Sequence, residues 1–434
     1  MPRIGSTGAG LAAMTVSFGL NFSAGVFFAP VAEDYGIGAG TLAVAAALST
    51  VVTGAAQPLV GVLLDRLGAK RVIVAALLLL SASYPALGAA RGAGQFVAAY
   101  VVLGGLGFAG SSSLAVSTLI ARAEGDRAAP ALARAAIGIN LGQLVVPWAA
   151  AGLFGPLGTR GTYVAIGVAG LAATAVLAAA LPPDRRAAGV PGVAGTAGAV
   201  GASGASLATG GAGPDLPKRQ SLRGRGRILA AFGLHAATLY AMVLLLPKHA
   251  VELGWSAAAG GSLVAVAAAA AAVSSAVTAR LVGHTAPERL LPVMHVLRAM
   301  SLVLAAAAPD PRLLVVAAVL FGAASFTVIP LTMAIVTRGL DPARLGRTLA
   351  PAWMVHQGSA GLGLALAAAV HAATGGYRAY FAAGVGLSLL AAVLTSTAES
   401  AARPAARTTS PTPSLASTPS LASSASLASS ASTS

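Results

Sequence analysis

The stretch GVLLDRLGAKR, from Gly61 to Arg71, is a charged knot between two long apolar runs. Asp65, Arg66, Lys70 and Arg71 sit together there, and each flank is long enough and apolar enough to cross a bilayer as a helix. The knot is therefore a tight turn at one membrane face. Gly61 and Gly68 permit close backbone approach and a sharp reversal. Its three cations mark the cytoplasmic side, because Lys and Arg accumulate in the cytoplasmic loops of membrane proteins.

The rest of the chain has the same texture. Of 434 residues, 56% are hydrophobic and 9% are charged, whereas a soluble domain carries about a quarter charged residues. A soluble globular protein is excluded. The net charge of +15 sits in loops between apolar spans, so positive-inside topology accounts for it and no nucleic-acid partner is expected. The chain has no Cys, so it has neither a disulfide framework nor a thiolate metal site. No nucleophile–base pair or metal cluster stands out, so neither an enzyme nor a cofactor is expected. The Ala, Gly and Arg bias points to a bacterial GC-rich genome. The apolar run from Ser6 to Pro30 has no clear cleavage site and reads as a retained first span.

Apolar runs between charged punctuation give about twelve spans of roughly twenty residues. Span 1 covers about Gly8 to Ala32, span 2 Gly40 to Leu64, and span 3 Val72 to Ala90. Span 4 covers Gln95 to Ala121, span 5 Ala131 to Phe154, and span 6 Thr162 to Leu181. A Gly/Ala/Ser-rich linker then occupies residues 183–227, with a basic end from Lys218 to Arg227 suited to anionic headgroups. It has too little apolar content to pack a core. Span 7 covers Ile228 to Ala250, span 8 Ala257 to Leu281, and span 9 Leu290 to Ala308. Span 10 covers Leu313 to Val336, span 11 Arg347 to His371, and span 12 Arg378 to Leu394. The tail from Ser396 is low-complexity Ser/Ala/Thr/Pro and is expected to be disordered. The expected units are thus residues 1–182, 183–227, 228–395 and 396–434. Most loop cations fall on the knot's side of this plan, which puts the linker and both termini in the cytoplasm.

The knot resembles the loop signature of the major facilitator superfamily, G-x-L-x-D-R-x-G-x-[KR]-[KR], through Gly61, Leu63, Asp65, Arg66, Gly68, Lys70 and Arg71. The second half carries a degraded copy, TARLVGHTAPERL, with Gly283 in place of the Asp. The resemblance implies an all-α integral membrane protein whose twelve or so transmembrane helices form two pseudo-symmetric six-helix bundles. It also implies a monomer that carries a small molecule through the lipid bilayer by alternating access, with a midplane site between the halves. Gly61, Asp65, Arg66, Gly68, Lys70, Arg71 and Arg122 then form a gate. Asp65 is expected to cap span 11 near Gly346 and Arg347 and to pair with Arg122, since a helix N-terminus stabilises a carboxylate.

No carboxylate falls in mid-span. Any proton coupling therefore runs through His235 or His356, or through the solute itself. Asn21, Gln143, His235, Trp353, His356 and Gln357 are expected to converge at the midplane as the substrate site. Asn21 pairs with His235, and Gln143 with His356, at matched positions of the two halves. Arg298 reads either as an anion-binding group or as a structural cation. The peripheral place of span 9 in this architecture favours the structural role.

The segments SAGVFFAP, AQPLVGVLLDRLGAKR, NLGQLVVP and HQGSAGLGLAL look like the monocarboxylate-transporter and oxalate–formate-exchanger branch. That branch carries a substrate Arg on helix 8, where this chain has Ser275, and its animal members carry an Asp-Gly-Gly-Trp type motif that span 1 lacks. The expected function is secondary transport of a small organic solute such as a monocarboxylate, in a bacterial inner membrane. A drug or metabolite efflux antiporter, or a transport-dead sensor of the same fold, is the alternative.

Overall fold

In lipid every backbone N–H and C=O must be satisfied within its own segment, so long Ala-, Leu- and Val-rich runs become helices. The computed structural model describes residues 5–182, 222, 225–307 and 311–402. Among them the regular structure is entirely helical. The first half comprises α1 (Ser6–Asp34), α2 (Ala39–Leu67), α3 (Ala69–Ala89), α4 (Ala93–Ala98), α5 (Gly105–Ser111), α6 (Ser113–Glu124) and α7 (Ala128–Ala180). The second half comprises α8 (Gly226–Glu252), α9 (Ala257–Leu281), α10 (Pro287–Ala307), α11 (Pro311–Val336), α12 (Leu345–Thr374) and α13 (Arg378–Ala402).

Nine helical segments among the described residues are long and apolar enough to cross a membrane. One of them, Ala93–Ala180, is a run of 88 residues. It turns at Gly125, with φ +54°, and again at Gly158, with φ +64°, backbone states that glycine adopts without a Cβ penalty. The run is therefore three rods. The other eight segments, these three rods and the 30-residue α12 make twelve.

Span 4 is corrected in detail. The structure breaks it with a π-helical turn at Ala99–Gly104 and again at Ser112, which is extended (φ −80°, ψ −165°). Ser111 and Ser112 turn their hydroxyls onto the carbonyls of Gly107 and Ala109. Such local bonds compete with a regular helix. At the far end α13 continues to Ala402, past the expected Leu394, because no Gly or Pro interrupts that Ala/Ser/Thr stretch. The linker and tail otherwise lie outside the described residues, apart from Leu222 and residues 225–227 and 396–402.

Without a hydrophobic force between helices in lipid, small residues set the packing. A Cβ added to Gly138 would lie 2.1 Å from the Leu11 carbonyl oxygen, and one added to Gly142 would lie 2.3 Å from that of Thr15. α1 and the first arm of α7 therefore touch backbone to backbone. The two halves meet where α2 packs on α12 and where the first arm of α7 packs on α9 and α11.

Candidate functional site

At the knot the chain reverses between α2 and α3 through Gly68, with φ +89°. Asp65 sits just before the turn, and its side chain is only 2% exposed. Its Oδ1 accepts from the backbone N–H of Gly346 at 2.8 Å and its Oδ2 from that of Arg347 at 3.0 Å. Both amides belong to the first turn of α12, where helix N–H groups lack internal partners. Arg122 Nη2 donates to the same carboxylate at 2.7 Å, and Arg347 Nε at 3.2 Å. Arg122 also donates to the carbonyls of Leu64 and Pro342, at 3.0 and 2.7 Å. One arginine thus joins the end of α2 to the turn before α12.

The two helices can come this close because both lack a side chain at the crossing. A Cβ on Gly61 would lie 2.6 Å from the Gly346 carbonyl oxygen, and a Cβ on Gly346 would lie as close to that of Gly61. The other knot cations face elsewhere. Arg66 and Arg71 are exposed. Lys70 donates to the Leu181 carbonyl at 2.9 Å, which ties it within its own half rather than across the seam.

Deeper in, one polar cluster is buried in the second half. Arg298 of α10 is 0% exposed. Its Nε donates to Thr238 Oγ1 at 2.9 Å, and its Nη1 to Ser325 Oγ at 2.7 Å. The same Nη1 meets His235 Nδ1 at 3.2 Å. His235 therefore accepts through Nδ1, which leaves the ring proton on Nε2. Arg298 Nη2, His235 Nε2, His295 Nδ1, Trp353 Nε1, both nitrogens of His356 and Gln357 Oε1 are buried without a hydrogen-bond partner. Such groups cost about 1–3 kcal/mol each when left unmade. Every described acidic residue lies near a helix end or in a turn, so no described carboxylate neutralises Arg298.

An aromatic shell closes around these groups. The Phe232 ring lies 4.3 Å from that of His356 and 5.3 Å from that of Trp353. Tyr240 lies 6.2 Å from His356 and 6.0 Å from Phe22 of α1, which brings the first half to the edge of the cluster. Arg298 and His356 each stand eleven residues beyond the start of their helices. At 1.5 Å per residue that is about 17 Å, close to the middle of a bilayer core.

Residues 10–350 match the family model of the Major Facilitator Superfamily. The chain belongs to this superfamily. Its fold is similar to that of the human organic anion transporter MFSD10 (TETRAN), with a TM-score of 0.70 at 17% identity, over 90% of this chain and 99% of that one. It is similar also to the proton:xylose symporter XylE bound to 6-bromo-6-deoxy-D-glucose, at 0.68 and 12% identity, over 89% of this chain and 94% of that one. The fucose:proton symporter FucP of E. coli gives 0.62 at 14% identity, over 90% of this chain and 98% of that one. No curated protein matches the sequence. As a superfamily member the chain is a multi-pass membrane protein with a transporter fold.

Within this superfamily fold the expected six-residue convergence is corrected. His235, Trp353, His356 and Gln357 come together with Arg298. Gln357 packs on α2, its Cβ 3.2 Å from where a Cβ on Gly54 would stand. Asn21 instead lines a pocket inside the first half with Ser49, Ser83, Tyr84, Tyr100 and Tyr163. Gln143 lines another, against Met242, Leu246 and Phe321. The pairing by repeat position fails on depth. Asn21 lies fifteen residues into α1, about 23 Å from the knot face, and Gln143 as far into α7. His235 lies nine residues into α8, about 14 Å. Asn140, one turn before Gln143 on α7, donates to Ser275 across the seam at 3.3 Å.

α10 packs on α11 and α13, and its Arg298 side chain points inward to α8 and α11. His295 is the residue the sequence reading missed. It is 1% exposed, and its ring lies 6.1 Å from that of His235. The signal was present, since His295 and Arg298 stand at i and i+3 and therefore share a helix face.

Proposed function

We propose that the chain is a secondary active transporter of a small organic acid, of the monocarboxylate class, working by alternating access as a monomer in a bacterial inner membrane. The knot face is then the cytoplasmic face, with both termini and the linker on that side. Arg298 carries this reading. A fixed cation buried at the midplane with no carboxylate partner among the described residues calls for an anion, and the unpartnered N–H groups around it are donors waiting for acceptor oxygens. The aromatic shell suits a solute with an apolar part. The gate at Asp65 would hold the cytoplasmic face closed while the site faces outward.

Flux into liposomes containing the purified protein tests the reading. Saturable uptake of a labelled monocarboxylate, displaced by other monocarboxylates and not by neutral sugars or lipophilic cations, is the expected result. Uptake of lipophilic cations alone would make it an efflux antiporter instead. Absence of flux with every solute would leave a sensor of the same fold.

Protons are the proposed coupling ion, and the imidazoles of His235 and His356 are the proposed relay. Uptake driven by an imposed pH gradient should be lost in the His235→Gln, His356→Gln double variant, while exchange of labelled for unlabelled acid at equal pH persists. A gradient response that survives intact removes both histidines from the relay.

A further inference from the structure

At the face opposite the knot, Glu252 stands between two imidazoles. It is the last residue of α8, and His371 lies in the last turn of α12. His371 Nε2 donates to Glu252 Oε1 at 2.8 Å, and His249 Nδ1 stands 3.6 Å from Glu252 Oε2. The His371 ring packs 4.4 Å from that of Tyr377, and the His249 ring 5.3 Å from that of Phe381. His249 is buried, whereas the Glu252 and His371 side chains are 34% and 37% exposed. Protons from the solvent therefore reach His371 first. Nearer the knot, α8 and α12 run parallel and touch closely. A Cβ on Gly363 would run into the Ala237 carbonyl, and one on Gly233 would stand 3.0 Å from Ser359 Oγ. Gly363, Ala367 and His371 lie at i, i+4 and i+8, so the face of α12 that meets α8 at Gly363 ends at His371. The Glu252–His371 bond thus joins the far ends of two rods that already meet lower down. Those rods carry most of the buried cluster, with Phe232 and His235 on α8 and Trp353 and His356 on α12.

Charge decides when this bond is strong. A carboxylate and the C-terminal ends of two helices converge here, and all three are negative. A neutral imidazole offers them one hydrogen bond, whereas an imidazolium offers an ion pair that the helix ends reinforce. The other described charged groups on this rim of the second half are Lys248 of α8, Arg312 at the start of α11 and Arg378 at the start of α13. Neither these cations nor the Tyr377 phenol changes charge between about pH 5 and 8, where imidazole does. We propose that Glu252, His371 and His249 form a proton-operated clasp, in which acid on this face fastens α8 to α12 beyond the cluster. His371 takes the proton, Glu252 holds it, and His249 backs the carboxylate from inside. The ion pair needs an ionised Glu252 and a protonated His371. It is therefore present on the acid side of the imidazole titration and is lost as pH rises through it. The clasp needs no substrate and stands apart from the organic-acid reading. Under that reading, the entering proton gains a second task, which is to close the outer end of the cluster behind it.

The test uses the full-length protein in liposomes, with a metal chelator present throughout. Ala367 is 0% exposed and lies one turn before His371, and the chain has no Cys, so Ala367→Cys is a single thiol placed between the close contact and the clasp. Thiol reactivity itself rises with pH, so labelling by an impermeant maleimide is compared between backgrounds at one pH. At about pH 6, adding His371→Gln should speed labelling about fivefold, and at about pH 8.5 the two backgrounds should label alike. His371→Arg carries a cation at every pH and should label slowly at both. In detergent, the melting temperature of the unaltered protein should fall by about 2–3 °C between about pH 6 and about pH 8.5. That fall should vanish in His371→Gln and in Glu252→Gln. A labelling ratio that is the same at both pH values overturns the clasp. A pH response kept in His371→Gln and lost in His249→Gln overturns the assignment of the proton to His371. A melting temperature of the unaltered protein that does not fall over this range overturns the proposal even where a variant does not fold. Neither readout involves a solute, so failure of the clasp and failure of the organic-acid reading are separate results.

Discussion

Asp65→Asn is expected to release the knot face and to raise the open-to-closed ratio there by about 100-fold. Four donors converge on this carboxylate, two of them helix amides and two guanidinium groups. Hydrogen bonds to a charged group contribute about 1.5–3 kcal/mol each, and they are not additive. An amide keeps acceptor capacity on one oxygen only and brings an N–H towards groups that are themselves donors. A net loss of about 3 kcal/mol is a conservative sum, and it shifts a two-state equilibrium about 100-fold. The chain has no native Cys, so a single Ala350→Cys is an unambiguous probe. Ala350 is 1% exposed and packs where a Cβ on Gly61 would stand. Its maleimide labelling rate should rise by the same factor in the Asp65→Asn background, and net uptake should fall because the face no longer closes. Asp65→Glu keeps the charge and should recover part of both. Unchanged labelling and unchanged uptake would remove Asp65 from the gate.

Much of this architecture is legible in the sequence because lipid allows so few solutions. An apolar run must be a helix, and a charge cluster between two such runs must be a turn at a surface. The knot is legible in more detail, since its Asp and Gly residues have few other uses at that spacing. Rotation about each helix axis is harder to read. Asn21 and Phe22 are neighbours about 100° apart around α1, and it is Phe22 that stacks against Tyr240 at the edge of the cluster. Choosing polar residues by mid-span position alone selects Asn21, which turns into its own half. Composition gives little purchase on α10. The buried stripe Leu291, His295, Arg298, Leu302 and Ala305 has helical spacing, but the lipid-facing side of the same helix is equally apolar. In water the polar face of a helix points out; in a bilayer it points in, and a single Arg on an otherwise apolar rod marks the inner face. The breaks in span 4 escape because the apolar pattern runs on unchanged through them, and the serine hydroxyls that bond back onto their own run are as compatible with an unbroken helix.

Arg298→Met should abolish uptake of the organic acid and at the same time raise the melting temperature of the protein. The two halves of this prediction come from one physical argument. A buried charge costs several kcal/mol of desolvation, and Arg298 has no carboxylate to offset it. Methionine keeps most of the length and apolar bulk of the stem. It strands one acceptor, His235 Nδ1, which loses its donor, and little else. Thr238 already donates its hydroxyl proton to the His235 carbonyl at 3.2 Å, and Ser325 lies within α11, where it can bond back onto its own helix. Replacing such a cation with a packed apolar side chain is commonly neutral or stabilising. Function moves the other way, because the carboxylate loses its only fixed counter-charge at the midplane, a loss of about 100-fold or more in affinity. Arg298→Lys separates charge from geometry. It keeps the cation but replaces a planar fork, which reaches Thr238, Ser325 and a carboxylate together, with a single ammonium. It should retain weak binding with a raised KM. A cation placed only to join α8, α10 and α11 gives the opposite pattern, in which Arg298→Met melts earlier and the surviving folded protein still carries acid at an unchanged KM. The sign of the melting shift therefore distinguishes a residue kept for its ligand from one kept for the fold, before any substrate is identified.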